Sequence, residues 1–187
     1  VRRGVSSDTI EKFELGRSPF DGESLKNHLV KQGFSLQQLN QAGIVRTSQN
    51  GWNHDLFRSR LMFPIRNAQG GLGGFGARAL DDSQPKYLNS PRTPVFDKGH
   101  LLYGLHLAKE SARQEGIVIV EGYMDVISIY SSGVKNVVSN SGIALTENQM
   151  NLIWKFFSKP IIFSLYFLVI IFLSKEEFSE ALIDLEQ

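Results

Sequence analysis

The sequence predicts an α/β protein in which a mixed α+β amino-terminal part is followed by a parallel sheet covered by helices. Two observations support this fold class. Before about residue 104, the apolar residues form short amphipathic segments and then two glycine-rich strand patterns, which is typical of α+β structure. After that point helix and strand patterns alternate, and this alternation favours a parallel sheet.

The first 45 residues are predicted to form three short helices, each closed by a glycine. The segments read SSDTIEKFELG, GESLKNHLVKQG and SLQQLNQAG, and they end at Gly16, Gly33 and Gly43. Ser and Asp stand at the capping positions of the first segment, and glycine is the residue that most often follows a helix. We expect these helices to contribute packing and no chemistry.

From Leu61 the pattern changes to two strands, LMFPIR and LGGFGARAL, joined by the turn NAQGG. Gly71, Gly73 and Gly76 match the spacing of a dinucleotide-binding fingerprint. Such a loop needs a helix directly after it to point backbone N–H groups at the phosphate, whereas DDSQPKYLNSP has two prolines and no apolar period. We therefore interpret these glycines as residues that a tight turn requires.

The second half is predicted to alternate helix and strand. A proline-bounded polar loop, PKYLNSPRTPVFDKGHLLYG, leads into a helix that ends at Gly116 and then into the buried strand GIVIV. The following elements are the helix YMDVISIYSSG, a short strand in VKNVVSNSG, the helix LTENQMNLIWKFF capped by Thr146, and the apolar segment KPIIFSLYFLVIIFL. In parallel sheets, functional groups gather at the carboxyl ends of the strands.

The composition describes a globular chain with a basic middle. The 187 residues are 42% hydrophobic and include no cysteine, which excludes disulfides and cysteine-type zinc sites and fits a reducing cytoplasm. Between Arg46 and Arg113, ten Lys and Arg stand against five Asp and Glu, which suits a polyanionic partner, although exposed cations are commonly solvated surface. No secretory signal is recognisable, and Val1 in place of a methionine suggests a fragment.

Two carboxylates follow the buried strand. Glu121 stands at its carboxyl end and Asp125 one helical turn later, so both side chains can face one crevice. The pair could bind a hard cation such as Mg²⁺, one of the two acids could be protonated, or basic side chains could neutralise both. The simpler alternative is that Asp125 favours the positive start of the helix while Glu121 is solvated.

Several motifs in one order resemble those of a known family. VEGYMDV, preceded by PKYLNSPRTPVFDKGHLLYG and by RSRLMFPIRNAQGGLGGFGAR, resembles the catalytic core of bacterial DnaG-type DNA primases, over about Arg3 to Ile162. Such enzymes synthesise short RNA primers on single-stranded DNA. The resemblance implies a basic, RNA-polymerase-like subdomain followed by a TOPRIM domain, a small parallel α/β fold that holds Mg²⁺ or Mn²⁺ on carboxylates.

The resemblance also implies roles for nine residues. Glu121 and Asp125 would be the catalytic and metal-binding acids of the first TOPRIM motif. The groups that hold nucleotide, or the template and primer backbone, would be Arg58, Arg60, Arg78, Lys86, Tyr87, Asn89 and Lys98. The implied partners are a single-stranded DNA template, nucleoside triphosphates and an RNA primer, in the bacterial cytoplasm. Guanidinium and ammonium groups suit phosphates, and an aromatic ring can fix the register of a single strand.

The chain departs from the family after its third predicted parallel strand. The family there reads roughly Phe-Asp-Gly-Asp, whereas this chain continues after Phe163 as SLYFLVIIFLSKEE, without an acid before Glu176. Ala77 also stands where a glycine is common. We expect weak metal binding and little or no polymerisation by this chain alone, because two-metal catalysis needs several carboxylates. The change suggests a gene remnant, a frameshift or an alternative ending.

The predicted organisation is a basic primase-core subdomain over 1–113, a partial TOPRIM domain over 114–164 and a divergent tail over 165–187. The family's zinc domain, and its domain for binding the replicative helicase, are expected to be missing. The uncharged stretch between Lys159 and Lys175 is shorter than the roughly twenty residues of a membrane span. A buried strand with an apolar extension is therefore favoured over a membrane segment.

Two other functions stay open on the sequence alone. A non-catalytic module that binds single-stranded nucleic acid would use only the basic middle of the chain. Another TOPRIM enzyme, such as a nuclease or a topoisomerase, would share VEGYMDV but would not bring PKYLNSP and DKGHLLYG with it. No tyrosine can be assigned as a topoisomerase nucleophile.

Overall fold

The computed structural model describes residues 5–142, 145–156, 160–162 and 171–172. The helices are α1 (Ser7–Lys12), α2 (Ser24–Lys31), α3 (Leu36–Gln41), the 3-10 turn η1 (Lys98–His100), α4 (Leu105–Glu115), α5 (Tyr123–Ser131) and α6 (Glu147–Phe156). The strands are β1 (Gly16–Arg17), β2 (Val45–Thr47), β3 (Asn53–Asp55), β4 (Arg60–Arg66), β5 (Leu72–Ala79), β6 (Tyr87–Asn89), β7 (Ile117–Val120), β8 (Val137–Ser139), β9 (Pro160–Ile162) and β10 (Ile171–Phe172).

The chain forms two compact units, and the first is built on antiparallel strands. This antiparallel unit comprises Ser7–Ile65 and Leu72–Asp97. Its four-stranded sheet has the order β1-β4-β5-β6, and β2 and β3 form a separate two-stranded hairpin. Alternate residues of a strand point to opposite faces, and Phe63 and Ile65 of β4 are accordingly both buried.

A buried carboxylate fixes the start of α2. Asp55, at the end of β3, is 1% exposed. Its two carboxylate oxygens accept hydrogen bonds from the backbone N–H groups of Leu25 (2.9 Å) and Lys26 (2.8 Å). These N–H groups have no partner within the helix, and the helix start favours negative charge, so the carboxylate stabilises α2 and ties it to the hairpin.

The close approach of Phe96 explains why residue 74, within the fingerprint-like segment 71–76, is a glycine. A Cβ atom added to Gly74 would lie 2.7 Å from Phe96 Cδ2 and 3.0 Å from Ser90 Cβ. Gly73 and Gly76 lie within β5, Gly71 directly precedes it, and the next element is β6 rather than a helix. The segment lacks the helix that a dinucleotide loop requires, as expected. The interpretation of its glycines as tight-turn residues was wrong for Gly73 and Gly76, because both lie within β5.

The second compact unit contains parallel strands. This parallel unit comprises Val1–Ser6, Arg66–Gly71 and Lys98–Gln187. Its sheet has the order β10-β9-β7-β8, in which β7 runs parallel to both β8 and β9 and β10 runs antiparallel to β9. Helices α4 and α6 contribute Leu105, Ala108 and Ile153 to a core that includes Ile117 and Ile119 of β7.

The start of α4 requires a glycine. Gly104 has a φ angle of +83°, and a Cβ atom there would lie 3.1 Å from Val126 Cγ1 and 3.3 Å from the carbonyl oxygen of Val137. The left-handed backbone and the close neighbours both disfavour a side chain. Gly104 therefore allows the helix to begin directly against α5 and β8.

The predicted α/β class is confirmed, and most predicted elements are present. The three early helices, the β4–β5 hairpin and the alternation from α4 to β9 were all expected. The prediction that the first 45 residues are helices alone was wrong, because Gly16–Arg17 pairs with β4 as an edge strand. The β2–β3 hairpin was not predicted.

Part of the predicted divergent tail lies outside the described residues. Of the predicted tail over 165–187, only β10 (Ile171–Phe172) is among the described residues. Within them, no helix combines the length and apolar character needed to cross a membrane. The boundaries 1–113, 114–164 and 165–187 remain a prediction.

Candidate nucleotide and nucleic-acid site

The carboxyl ends of β7 and β8 are joined by hydrogen bonds next to Glu121. The hydroxyl of Ser139 donates to the carbonyl oxygen of Glu121 at 2.7 Å, and the N–H of Ser141 donates to the Ser139 hydroxyl at 2.8 Å. Ser139 is fully buried, and Glu121 is half-buried. This edge of the sheet, which we call the carboxyl edge, comprises Glu121, Asp125, Ser139 and the turn 140–142.

Asp125 holds the start of α5. One of its carboxylate oxygens accepts a hydrogen bond from the backbone N–H of Gly122 at 3.1 Å. A carboxylate at the start of a helix is stabilised by the helix dipole and satisfies an otherwise unpaired N–H group. The structure thus gives Asp125 the simpler role considered above, and its catalytic and metal-binding roles stay predictions.

The acids of the carboxyl edge do not make up a complete divalent-cation site. Hard cations such as Mg²⁺ take six oxygen ligands, and two-metal enzymes supply several carboxylates. Within the described ranges, no three Asp, Glu, His or Cys side chains are arranged so that they could hold a metal ion. One oxygen of Asp125 is already engaged by Gly122. The described residues therefore do not fit the full ion set of a two-metal centre.

Lys98 brings a positive charge to the carboxyl edge. Lys98 lies in η1. Its ammonium nitrogen is 3.4 Å from the position that a Cβ atom would occupy on Gly142, so the ammonium lies over the turn that follows β8. Partial burial lowers the pKa of Lys98 from its usual value of 10.5. Burial partly desolvates the ammonium, and this environment favours attraction of a phosphate.

Two tyrosines pack beneath the carboxyl edge. The rings of Tyr103 and Tyr123 meet edge to face, with centroids 4.8 Å apart and an interplanar angle of 80°. Burial raises the pKa of Tyr123 to about 12, and it raises the pKa of Tyr103 as well. Both phenols are therefore neutral near pH 7 and act as packing groups rather than as proton acceptors.

A basic pocket of about 370 Å³ opens in the antiparallel unit. It is lined by Phe20, Arg46, His54, Leu56, Arg58, Ser59, Arg60, Asp81, Ser83, Gln84, Pro85 and Leu88. Of the two predicted residues, Arg58 is exposed, whereas Arg60 is only 5% exposed and donates from Nη1 to the carbonyl oxygen of Pro85 at 2.8 Å. Arg60 therefore holds the loop before β6, and Arg58 is the arginine open to a ligand.

A second predicted group lies across β5 and β6. Arg78 and Tyr87 are directly paired, and the Arg78 guanidinium carbon lies 5.9 Å from the centre of the Tyr87 ring, as in a cation–π contact. Asn89 pairs with Gly76, which places Asn89 on the face of Tyr87. Tyr87 is 50% exposed, and Lys86 beside it is exposed. The structure thus brings four predicted residues onto or beside one short strand.

Three residues of the basic pocket were missed by the sequence analysis. Arg46 and His54 belong to the β2–β3 hairpin, where they are paired, and Phe20 is 78% exposed at the pocket. Asn50-Gly51 lies in the turn between the two strands, and this dipeptide is a strong hairpin signal. It could have revealed that Arg46 and His54 share an element. No sequence signal pointed to Phe20.

Comparison with known proteins assigns both parts of the chain. Residues 1–109 match the family "DNA primase catalytic core, N-terminal domain", and residues 118–165 match a Toprim-like family. A DNA primase of Halalkalibacterium halodurans is 43% identical over 154 residues, which is 81% of this chain and 26% of that protein. The chain thus spans about a quarter of the length of the curated relatives it matches.

Solved primase structures share the fold. The Aquifex aeolicus primase, with its zinc-binding and RNA polymerase domains, has a TM-score of 0.80 at 38% identity, covering 87% of this chain and 40% of that one. A DnaG primase catalytic domain bound to single-stranded DNA has a TM-score of 0.77 at 36% identity, covering 86% of this chain and 52% of that one. These matches confirm the resemblance drawn from the motifs. The model of the DNA primase catalytic core matches more than half of this chain, and the chain therefore belongs to the DNA primase catalytic-core family.

Proposed function

We propose that this chain provides the nucleotide-holding and strand-holding surfaces of a primase core, whose reaction is RNA primer synthesis on single-stranded DNA by nucleotidyl transfer. Membership of the primase family supports the reaction class. A related catalytic domain bound to single-stranded DNA supports the template class. The further partners in this proposal are nucleoside triphosphates and an RNA primer in the bacterial cytoplasm, with the replicative helicase as a partner of the longer relatives.

The pairing of Arg78 with Tyr87 is the observation that best supports this function. An exposed aromatic ring next to a guanidinium group offers a base a stacking surface and a phosphate a hydrogen-bonding fork. Lys86 adds a point charge, and Asn89 adds donor and acceptor groups on the same face as the ring. Arg58 at the basic pocket extends the cationic surface within the antiparallel unit.

The carboxyl edge supplies the nucleotide side of the proposal. The Lys98 ammonium offsets the charge of a triphosphate, and Glu121 contributes a carboxylate at the end of β7. Toprim-type primases typically depend on a divalent metal, Mg²⁺ or Mn²⁺. Because the described residues do not fit a two-metal centre, we assign Glu121 and Asp125 at most a weak contribution to metal binding, and we expect little or no polymerisation by this chain alone.

A primer-synthesis assay tests this proposal directly. The chain is incubated with a single-stranded template, nucleoside triphosphates and either Mg²⁺ or Mn²⁺, and a complete primase core serves as the positive control. We expect the chain to bind the template and to yield at most traces of product. Efficient synthesis would contradict the expectation that further acids are needed. Absence of template binding would contradict the assignment of the Arg78–Tyr87 surface.

A non-catalytic module that binds single-stranded nucleic acid is the second candidate. It is favoured by the fact that Arg58, Arg78, Lys86 and Tyr87 all belong to the antiparallel unit, so a strand could be held without the carboxyl edge. Both functions predict steeply salt-dependent binding of single strands. They differ in nucleotide binding: the primase proposal requires ATP to bind in a manner that depends on Lys98, and the module requires no such binding.

A further inference from the structure

One buried side chain connects three backbone segments around the carboxyl edge. Gln149 of α6 is 1% exposed. The two hydrogens of its amide nitrogen are shared among the carbonyl oxygens of Lys98 (3.1 Å), Leu101 (2.9 Å) and Asn140 (3.2 Å). Its amide oxygen accepts from the backbone N–H of Thr146 at 3.0 Å. Both polar atoms of the amide are therefore used, and all four partners are backbone groups.

Thr146 adds a second connection to the same region. Its hydroxyl donates to the carbonyl oxygen of Gly99 at 2.5 Å and accepts from the N–H of Gln149 at 3.1 Å. Thr146 and Gln149 form a reciprocal capping pair at the start of α6, a pattern that is readable from the sequence TENQ. Here the capping residues also bind η1, the element that carries Lys98, so the helix start and the lysine segment are fixed to each other.

The segments held by Gln149 carry the groups of the carboxyl edge. Lys98 belongs to the first segment, and its ammonium lies over Gly142. Asn140 directly follows Ser139, whose hydroxyl binds the carbonyl oxygen of Glu121. A displacement of Gln149 would therefore change the position of the cation relative to the ends of β7 and β8.

The chemistry of the amide suits this task better than core packing alone. Gln149 is next to Met150 in a helix whose Met150 and Ile153 belong to the hydrophobic core, so an apolar side chain would be compatible with its burial. An apolar replacement would leave buried carbonyl groups without their donor, and unpaired buried polar groups are costly. The segments would then shift toward other donors.

We propose that Gln149 is a positioning residue that sets the location of the Lys98 ammonium for the phosphates of a nucleoside triphosphate. The inference rests on the proposed function, because that function makes Lys98 the phosphate contact. Gln149 itself is buried and touches no nucleotide. It acts through the backbone of Lys98 and through the turn that follows β8.

A double-mutant cycle tests this inference. ATP affinity is measured by calorimetry in the presence of EDTA, so that protein cations alone determine binding, for the unmodified chain, Lys98→Ala, Gln149→Met and the double variant. We expect Lys98→Ala to weaken binding about tenfold or more and Gln149→Met about three- to tenfold. In the Lys98→Ala background, Gln149→Met should cause no further loss.

Each outcome discriminates between the two proposals. Unchanged ATP affinity in Lys98→Ala overturns the phosphate role of Lys98 and this inference together. If Lys98→Ala weakens ATP binding but Gln149→Met binds ATP with the affinity of the unmodified chain, only the inference about Gln149 is overturned. This holds even if Gln149→Met lowers the melting temperature. Losses that multiply in the double variant show that Gln149 acts independently of Lys98 and also overturn it.

Two further variants keep the test decisive if Gln149→Met does not fold. Thr146→Val is at an exposed position and removes the hydroxyl that binds Gly99, so a smaller loss of ATP affinity, again absent in the Lys98→Ala background, is expected. Asn148→Ala is the matched control, because Asn148 is exposed in the same turn of α6. Weaker ATP binding by Asn148→Ala, or wild-type binding by Thr146→Val, would overturn the inference.

Discussion

The antiparallel unit and the parallel unit arrange their candidate groups in different ways. Arg78 and Tyr87 lie on neighbouring strands that follow each other in the chain, and their side chains project directly from the sheet. At the carboxyl edge, by contrast, Gln149 holds Lys98 from 51 residues away. The proposed strand-binding surface is thus built locally, whereas the proposed nucleotide site depends on distant segments held by buried hydrogen bonds.

The largest expected effect is on the local surface. Tyr87→Ala removes the exposed ring and its contact with Arg78, and loss of base stacking costs about 1–3 kcal/mol of binding free energy, or about 5- to 150-fold in Kd. Fluorescence anisotropy with a labelled single strand measures this change. Tyr87→Phe keeps the ring and should bind almost normally. Equal losses in both variants would show that the hydroxyl, and not stacking, determines binding.

A smaller effect is expected at the carboxyl edge. Asp125→Ala removes the acceptor for the Gly122 N–H and the negative charge at the start of α5, which should lower the free energy of unfolding by about 1 kcal/mol. Urea denaturation measures the loss. Asp125→Asn keeps an oxygen acceptor and should lose less. An unchanged free energy of unfolding in Asp125→Ala would show that the hydrogen bond from Gly122 to Asp125 does not stabilise the fold.

The smallest effect concerns the partly buried Lys98. Burial lowers the pKa of Lys98 in the folded chain below the value of 10.5 that it has in the unfolded chain. Between these two pKa values the unfolded chain binds more protons than the folded one, so the free energy of unfolding increases with pH. In Lys98→Met this gain disappears. The stability of the variant relative to the unmodified chain should therefore be highest near pH 8 and should fall as the pH approaches 10.5.

Urea midpoints between pH 8 and pH 10.5 measure this difference. Lys86→Met, which changes an exposed lysine of the antiparallel unit, is the matched control and should follow the pH profile of the unmodified chain. Parallel profiles for Lys98→Met and the unmodified chain would show that the ammonium is as well solvated in the folded state as in the unfolded state.

The sequence predicted the elements better than the environments of single side chains. Caps and closing glycines located the early helices, and the alternation of apolar segments located the parallel strands. The sequence could not show that Arg58 is exposed and Arg60 is buried. Both belong to the motif RSR, and their exposure differs only because the loop before β6 folds over Arg60. The sequence analysis named Thr146 as the cap of α6 but not Gln149, and the bonds of Gln149 to Lys98 and Asn140 depend on tertiary packing.

The tip of the β4–β5 hairpin has a consequence for how this protein can be divided. Arg66–Gly71 belongs to the parallel unit, where Ala68 joins the core and its carbonyl oxygen accepts a hydrogen bond from Lys109 at 3.0 Å. The strands on either side belong almost wholly to the antiparallel unit. Neither unit is therefore a continuous piece of the gene. A single crossover within the gene could not exchange one whole unit for a foreign counterpart.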